Sequence, residues 1–163
     1  MQYIKLLLIG FLFINCANKA PELEKPEEPQ IIYTYELSRE LKPYVFEYLN
    51  TLKKYDIEFK KQSLIVVFDA DIMRTSLVGQ AKGMFNDDLV YVKINPKLWG
   101  YLTTKQKRHL IFHELSHDIF NTEHTTEIKL MYPSMSSPQG AFAMNIDKAI
   151  DELMKYIKNG NRR

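Results

Sequence analysis

The chain has 163 residues, a formal net charge of +2 and 45% hydrophobic residues, enough for one ordinary domain with a real core and too little for two. Its Lys and Arg residues are dispersed among Asp and Glu without a basic block, which argues against a nucleic-acid partner; the closing Asn161-Arg162-Arg163 reads as a solvated tail. A single cysteine, Cys16, excludes an intrachain disulfide.

Taken in chain order, Lys5 precedes an apolar run from Leu6 to Ile14. That run is shorter than the ~20 residues a transmembrane helix needs, and with its weakly positive start it reads as a secretory signal. It closes on Phe13-Ile14-Asn15-Cys16. This resembles the lipobox of bacterial lipoproteins, with Asn15 where Gly, Ala or Ser is usual and Phe13 where Leu is usual. The resemblance implies a signal peptide over residues 1–16, a lipid anchor on Cys16 and a membrane-anchored place in the bacterial cell envelope. An ordinary cleaved signal, giving a secreted protein, is the alternative. Residues 17–30 carry Pro21, Pro26 and Pro29 among Glu and Lys, a tether that buries nothing. The domain then runs from Ile31 to Arg163.

Within that domain, Tyr35 to Tyr55 has helical spacing, with Leu37, Leu41, Val45, Tyr48, Leu49 and Leu52 recurring at three- and four-residue steps and Ser38 as N-cap. Pro43 fits only near a first turn. Leu64-Ile65-Val66-Val67-Phe68 is the continuous apolar run of a buried strand. Gln80 to Phe85 and Leu89 to Ile94, separated by Asn86-Asp87-Asp88, read as a hairpin. Lys105 to Phe120 is helical in pattern, capped by Thr103-Thr104 and ended by Asn121. Ile146 to Ile157 supplies a last amphipathic helix with Asn145 as N-cap. The fold class is therefore α+β.

The helix over 105–120 carries His113-Glu114-Leu115-Ser116-His117, which matches H-E-x-x-H. Residues four apart project from one helix face, so two imidazoles can meet one Zn²⁺. Glu114, one step round, can take a proton from water activated at the metal without ligating it. All four histidines, His109, His113, His117 and His124, fall in this one region. The bland alternative is a charged helix face with surface histidines, which the apolar positions Ile111, Leu115 and Ile119 argue against.

Downstream come His124 and Leu130-Met131-Tyr132-Pro133. The stretch from Phe112 to Pro133 resembles the metzincin metallopeptidases, the matrixins in particular, whose pattern is H-E-x-x-H-x-x-G-x-x-H followed by a methionine turn that often reads L-M-Y-P. The resemblance implies a zincin-like mixed sheet, an active-site helix, a methionine turn and a C-terminal helix. It implies a third metal ligand after the turn and a methionine, here Met131, packed beneath the metal. Two positions depart from the pattern. The glycine position is Phe120, leaving Asn121 to make the turn. The third-ligand position falls on Glu123, with His124 one residue beyond, so the third ligand is His124 if the loop is one residue longer and Glu123 if the spacing is kept. We favour His124.

The expected function is thus zinc-dependent hydrolysis of peptide or protein substrates by a monomer, with His113, His117 and His124 on the metal and Glu114 as general base. A non-catalytic zinc-binding or interaction lipoprotein is the alternative. In metzincins an edge strand runs above the cleft, and Leu89 to Ile94 is the candidate here, pairing with extended substrate. His109 could line the cleft, but beside Lys107 and Arg108 it reads rather as an exposed helix residue. Asp118 is either an acceptor orienting an imidazole or a surface acid. Ser116 allows close packing; Tyr132 could donate to a tetrahedral intermediate, as a tyrosine does in some zincins, with a structural role favoured. Trp99, Met84, Met135 and Phe142 are core or cleft wall.

Overall fold

The first two strands lie parallel although they are consecutive, so the chain between them must cross over the sheet. In this computed structural model, which describes residues 34–60, 63–85, 88–133 and 145–160, that crossover is a helix. Strand β1 (Thr34–Leu37) is followed by helix α1 (Lys42–Lys54) and strand β2 (Ser63–Phe68). A short edge strand β3 (Gly79–Ala81) and strand β4 (Leu89–Ile94) complete a four-stranded mixed sheet of order β1-β2-β4-β3. Helices α2 (Pro96–Trp99), α3 (Thr104–Phe120) and α4 (Ile146–Lys158) follow. The architecture is mixed α and β, and all of these elements belong to the unit from Ile31 to Arg163.

Alternation sets the core. Leu64 pairs with Val90 and Val66 with Val92, and all four are buried, so one face of the parallel pair is sealed. Ile65, Val67, Tyr91 and Lys93 on the other face are only half-buried. The sealed face joins one cluster with Leu41, Val45, Tyr48 and Leu52 of α1 and with Ile111, Phe112 and Leu115 of α3. Tyr48 packs edge-on against Phe112 at 5.0 Å and shares a hydrogen bond of 3.0 Å with Ser116 Oγ. Ser116 thus brings two helices together through its hydroxyl as well as its small size.

The first helix is shorter than its spacing suggests. Tyr35 and Leu37 belong to β1, because Thr34–Leu37 finds a parallel partner in Ser63–Val66. Helix α1 starts at Lys42, with Pro43 in its first turn, where a missing N–H costs nothing. Ser38 does not cap it. Its hydroxyl accepts the Phe68 N–H at 3.0 Å and its own N–H donates to Val66 at 3.0 Å, which extends the β1–β2 pairing.

Helix α3 keeps the expected limits. Thr103 and Gln106 form a reciprocal capping box, worth about 1 kcal/mol. Asn121 ends the helix in the left-handed region, at φ 51° and ψ 34°. Every residue from His109 to Phe120 is buried, so α3 runs as a post through the interior. Asn145 caps α4 by accepting from Lys148 N, and Ile146, Ile150, Leu153 and Ile157 are its buried stripe. Residues 1–33, over which the signal and tether are expected, lie outside the described residues, as do Met135 and Phe142.

Candidate metal centre

A buried helix that carries polar side chains must satisfy them, and α3 does so by aiming them at what it packs against. His113 and His117, one turn apart, face the loop that follows Asn121. His113 Nδ1 lies 2.6 Å from the carbonyl oxygen of Leu130, in the short 3₁₀ turn Lys129–Met131. His117 Nδ1 bonds the carbonyl oxygen of Thr122, which the left-handed Asn121 turns back toward the helix. The same loop is closed by Thr125 N–H donating to Met131 O at 3.1 Å.

These contacts set the tautomers. A carbonyl oxygen only accepts, so each Nδ1 carries the proton and each Nε2 presents a lone pair. Burial holds His113 well below the ordinary imidazole range and lowers His117 as well, so neither ring gains a second proton near neutrality. Yet the two Nε2 atoms stand 3.0 Å apart, and His124 Nε2 stands 3.1 Å from that of His113. The His113–His117 contact has no proton to share. Two lone pairs aimed at each other are repulsive unless a cation lies between them.

Three nitrogens that each sit ~2.0–2.1 Å from one zinc would be separated by about 3.3 Å in tetrahedral geometry. The observed spacings are within a few tenths of that, and the donor chemistry fits a metal ion. Among the described residues, His113, His117 and His124 form the group whose ligand atoms converge; Glu123 is not in it. His124 is reached because the turn is displaced by one residue onto Asn121. His113 and His117 are buried, and His124 is exposed on the open side.

Glu114 projects beside this cluster. Its Oε2 accepts the Ala81 N–H at 2.9 Å, and its side chain is buried. Burial raises its carboxyl group to about 7, with nearby Asp118 adding to the rise and the Ala81 N–H opposing it. Strand β3 comes so close that a Cβ on Gly79 would lie 2.9 Å from Glu114 Oε1. A cleft passes the cluster between β3 and α3. One end is a cavity of about 420 Å³ reaching Leu102, Gln106 and His109; the other, about 510 Å³, reaches Met84 and Glu123.

Several expectations need correction. Leu89–Ile94 is not an edge strand, since all of it pairs with β2 and its Val92–Ile94 half also pairs with β3 on the other side. The edge on that side is β3. Asp118 is neither an imidazole partner nor a surface acid. It is fully buried, and its Oδ2 accepts Gly83 N–H at 2.7 Å and Tyr91 N–H at 3.1 Å. The imidazole protons go to backbone carbonyls instead. His109 is not exposed. It is buried, its ring stacks on His113 at 5.7 Å, and desolvation lowers it to about 4.

Other residues sit near their expected places. Met131 is fully buried, Tyr132 is half-buried at the cavity rim, and Trp99 is buried against Tyr44 and Phe68. Sequence reasoning missed Gly79 and Gly83, whose only signal was the absence of a side chain on a segment that must lie against a helix.

The structure therefore joins a triad of histidines with a carboxylate between the first two in sequence, an arrangement consistent with an H-E-x-x-H metal site. No family model, no curated protein and no solved structure matches the chain.

Proposed function

We propose that this protein is a zinc metallopeptidase of metzincin-like, zincin-type architecture, anchored to the bacterial cell envelope through Cys16. The observation that carries the reading is the convergence of the three Nε2 atoms, with spacings of 3.0 and 3.1 Å, beside a buried carboxylate. His113, His117 and His124 would hold the metal, and three imidazoles are a common zinc set that leaves a position open. Bound zinc supplies a Lewis acid that polarises a carbonyl and makes water acidic near neutral pH.

The chain's own part is proton handling and positioning. Ala81 N–H fixes Glu114 Oε2, which leaves Oε1 to take a proton from the attacking water. A new C–O bond forms at the peptide carbonyl, the C–N bond breaks, and Glu114 passes its proton to the departing amine. A carboxyl group near pH 7 suits both halves of that exchange. The Leu130 and Thr122 carbonyls keep the two imidazoles in one tautomer and orientation. The cleft on both sides of the cluster accommodates an extended segment, which favours peptide over a small compact substrate.

The test is zinc content per chain for the parent and for His124→Ala, followed by cleavage of an unfolded protein such as casein. We expect one zinc in the parent, loss or marked weakening in His124→Ala, and cleavage by the parent that stops in Glu114→Gln. A folded parent without zinc would sink the reading, and stoichiometric zinc without cleavage would leave a non-catalytic zinc-binding protein.

A further inference from the structure

His109 stands one turn before His113, and only 1% of its surface is exposed. Both of its ring nitrogens are shielded from solvent, and neither has a hydrogen-bond partner among the described residues. An unmet buried polar group is costly, and folded proteins rarely keep one without a use. The ring is not a fourth metal ligand, since it lies outside the converging group and is stacked face-on against His113, with 20° between the ring planes.

Its surroundings point to a ligand. His109 forms part of the wall of the cavity of about 420 Å³ that opens onto His113, Glu114 and His124. That volume lies in the range of small-molecule sites, ~300–1,000 Å³. Leu102, Leu110 and Pro133 make the neighbouring wall apolar. Gln106, which lines the cavity together with Ser76 and Tyr132, has its Oε1 committed to the Thr103 N–H and hydroxyl at 2.8 and 2.9 Å. Beside this apolar wall His109 keeps a donor and an acceptor unspent, whereas His113, Glu114 and His124 at the other side belong to the metal centre. Both nitrogens are shielded as the ring stands, so reading a ligand in the chamber requires the ring to turn about its Cβ–Cγ bond.

We propose that this cavity is a recognition pocket for a phenol-type group, in substrate terms a tyrosine side chain, with His109 reading the hydroxyl and the apolar wall holding the ring. A hydroxyl can both donate to and accept from an imidazole, whereas an aliphatic or phenyl end would leave both nitrogens unmet. The analogue lacking the hydroxyl leaves both nitrogens as unmet as before, so the hydrogen bond from the hydroxyl is the discriminating contact. Assigning the phenol to a substrate rests on the peptidase reading; the pocket itself does not.

Two measurements separate those claims. The first is binding of p-cresol and toluene to the full chain, with and without zinc, followed on the imidazole ¹⁵N signals of its four histidines. We expect p-cresol to shift the His109 signals and to bind at least about tenfold more tightly than toluene. His109→Leu should erase or reverse that order, and His109→Gln should recover part of it. Equal affinities in the parent, unshifted His109 signals, or a p-cresol preference that survives His109→Leu would each overturn the proposal.

The second measurement compares peptides with Tyr or Phe flanking the cleaved bond. The parent should favour Tyr by about tenfold in kcat/KM, and His109→Leu should level the two. Cleavage without a Tyr preference overturns the assignment of the phenol to a substrate tyrosine and leaves the peptidase. Selective p-cresol binding without any cleavage overturns the peptidase and leaves the pocket.

Discussion

Asp118 Oδ2 accepts the backbone N–H of Gly83 at 2.7 Å, so the last turn of the ligand-bearing helix holds the hairpin that roofs the cleft. The same oxygen takes the Tyr91 N–H from the opposite arm at 3.1 Å. Asp118→Ala leaves both amides without this acceptor. We expect a loss of about 2–4 kcal/mol in denaturant unfolding, as for removal of a buried charged acceptor. A loss under about 0.5 kcal/mol would show that the hairpin does not depend on Asp118.

Gly79 tests the proposed base without touching the metal. A Cβ there would press on Glu114 Oε1 and Leu110 Cδ1, at 2.9 and 3.0 Å. Gly79→Ala should therefore bind zinc as the parent does while its kcat falls by about tenfold or more, since small misplacements of a reacting group are costly. Unchanged kcat with unchanged zinc would remove Glu114 from the chemistry.

The raised carboxyl of Glu114 has a definite sign. Its ordinary value is 4.5 and burial lifts it to about 7. Between those values the folded chain holds a proton that the unfolded chain has lost. Stability from this group is therefore intact near pH 4.5 and is lost as pH rises through about 7. Glu114→Gln does not titrate there. Without zinc, it should match the parent near pH 4.5 and exceed it at pH 8 by on the order of 3 kcal/mol, measured by thermal or denaturant unfolding. A pH-independent difference between the two would show that this carboxyl does not titrate near 7.

How much of this was legible in the residues differs by element. Helix α3 announced itself because Thr103, the apolar line Ile111, Leu115 and Ile119, and Asn121 all act within a few residues of one another. The spacing of His113, Glu114 and His117 is equally local. Strand β1 was misread because Leu37 and Leu41 keep helical spacing, while its pairing with Ser63–Val66 is decided by residues far along the chain. His109 and Asp118 resemble surface residues in sequence; what buries them is the close approach of β3 and the loop after Asn121. The three-residue β3 has too little length to show a period of its own.

Metal should be a large part of the stability of this domain. The two apposed lone pairs of His113 and His117 are an unfavourable contact that a cation would convert into two bonds. Zinc at a hundredfold excess over its Kd should add about 2.7 kcal/mol to unfolding, and a chelator should withdraw it. Identical Tm values with zinc and with chelator would mean that nothing binds between these rings.

The hairpin contacts also bear on how the molecule avoids its own copies. An edge strand presents a row of amides on which another chain can build, and this sheet has one of its two edges at β3. Along β3 and the residues that continue it, the N–H groups of Ala81, Gly83 and Phe85 are taken by Glu114, Asp118 and Asn121. Three side chains spaced four and three residues apart along α3 thus occupy the alternate amides of that edge. The helix that carries the histidines therefore also blunts the sheet, and a chain stripped of these acceptors would expose a template for intermolecular β-pairing.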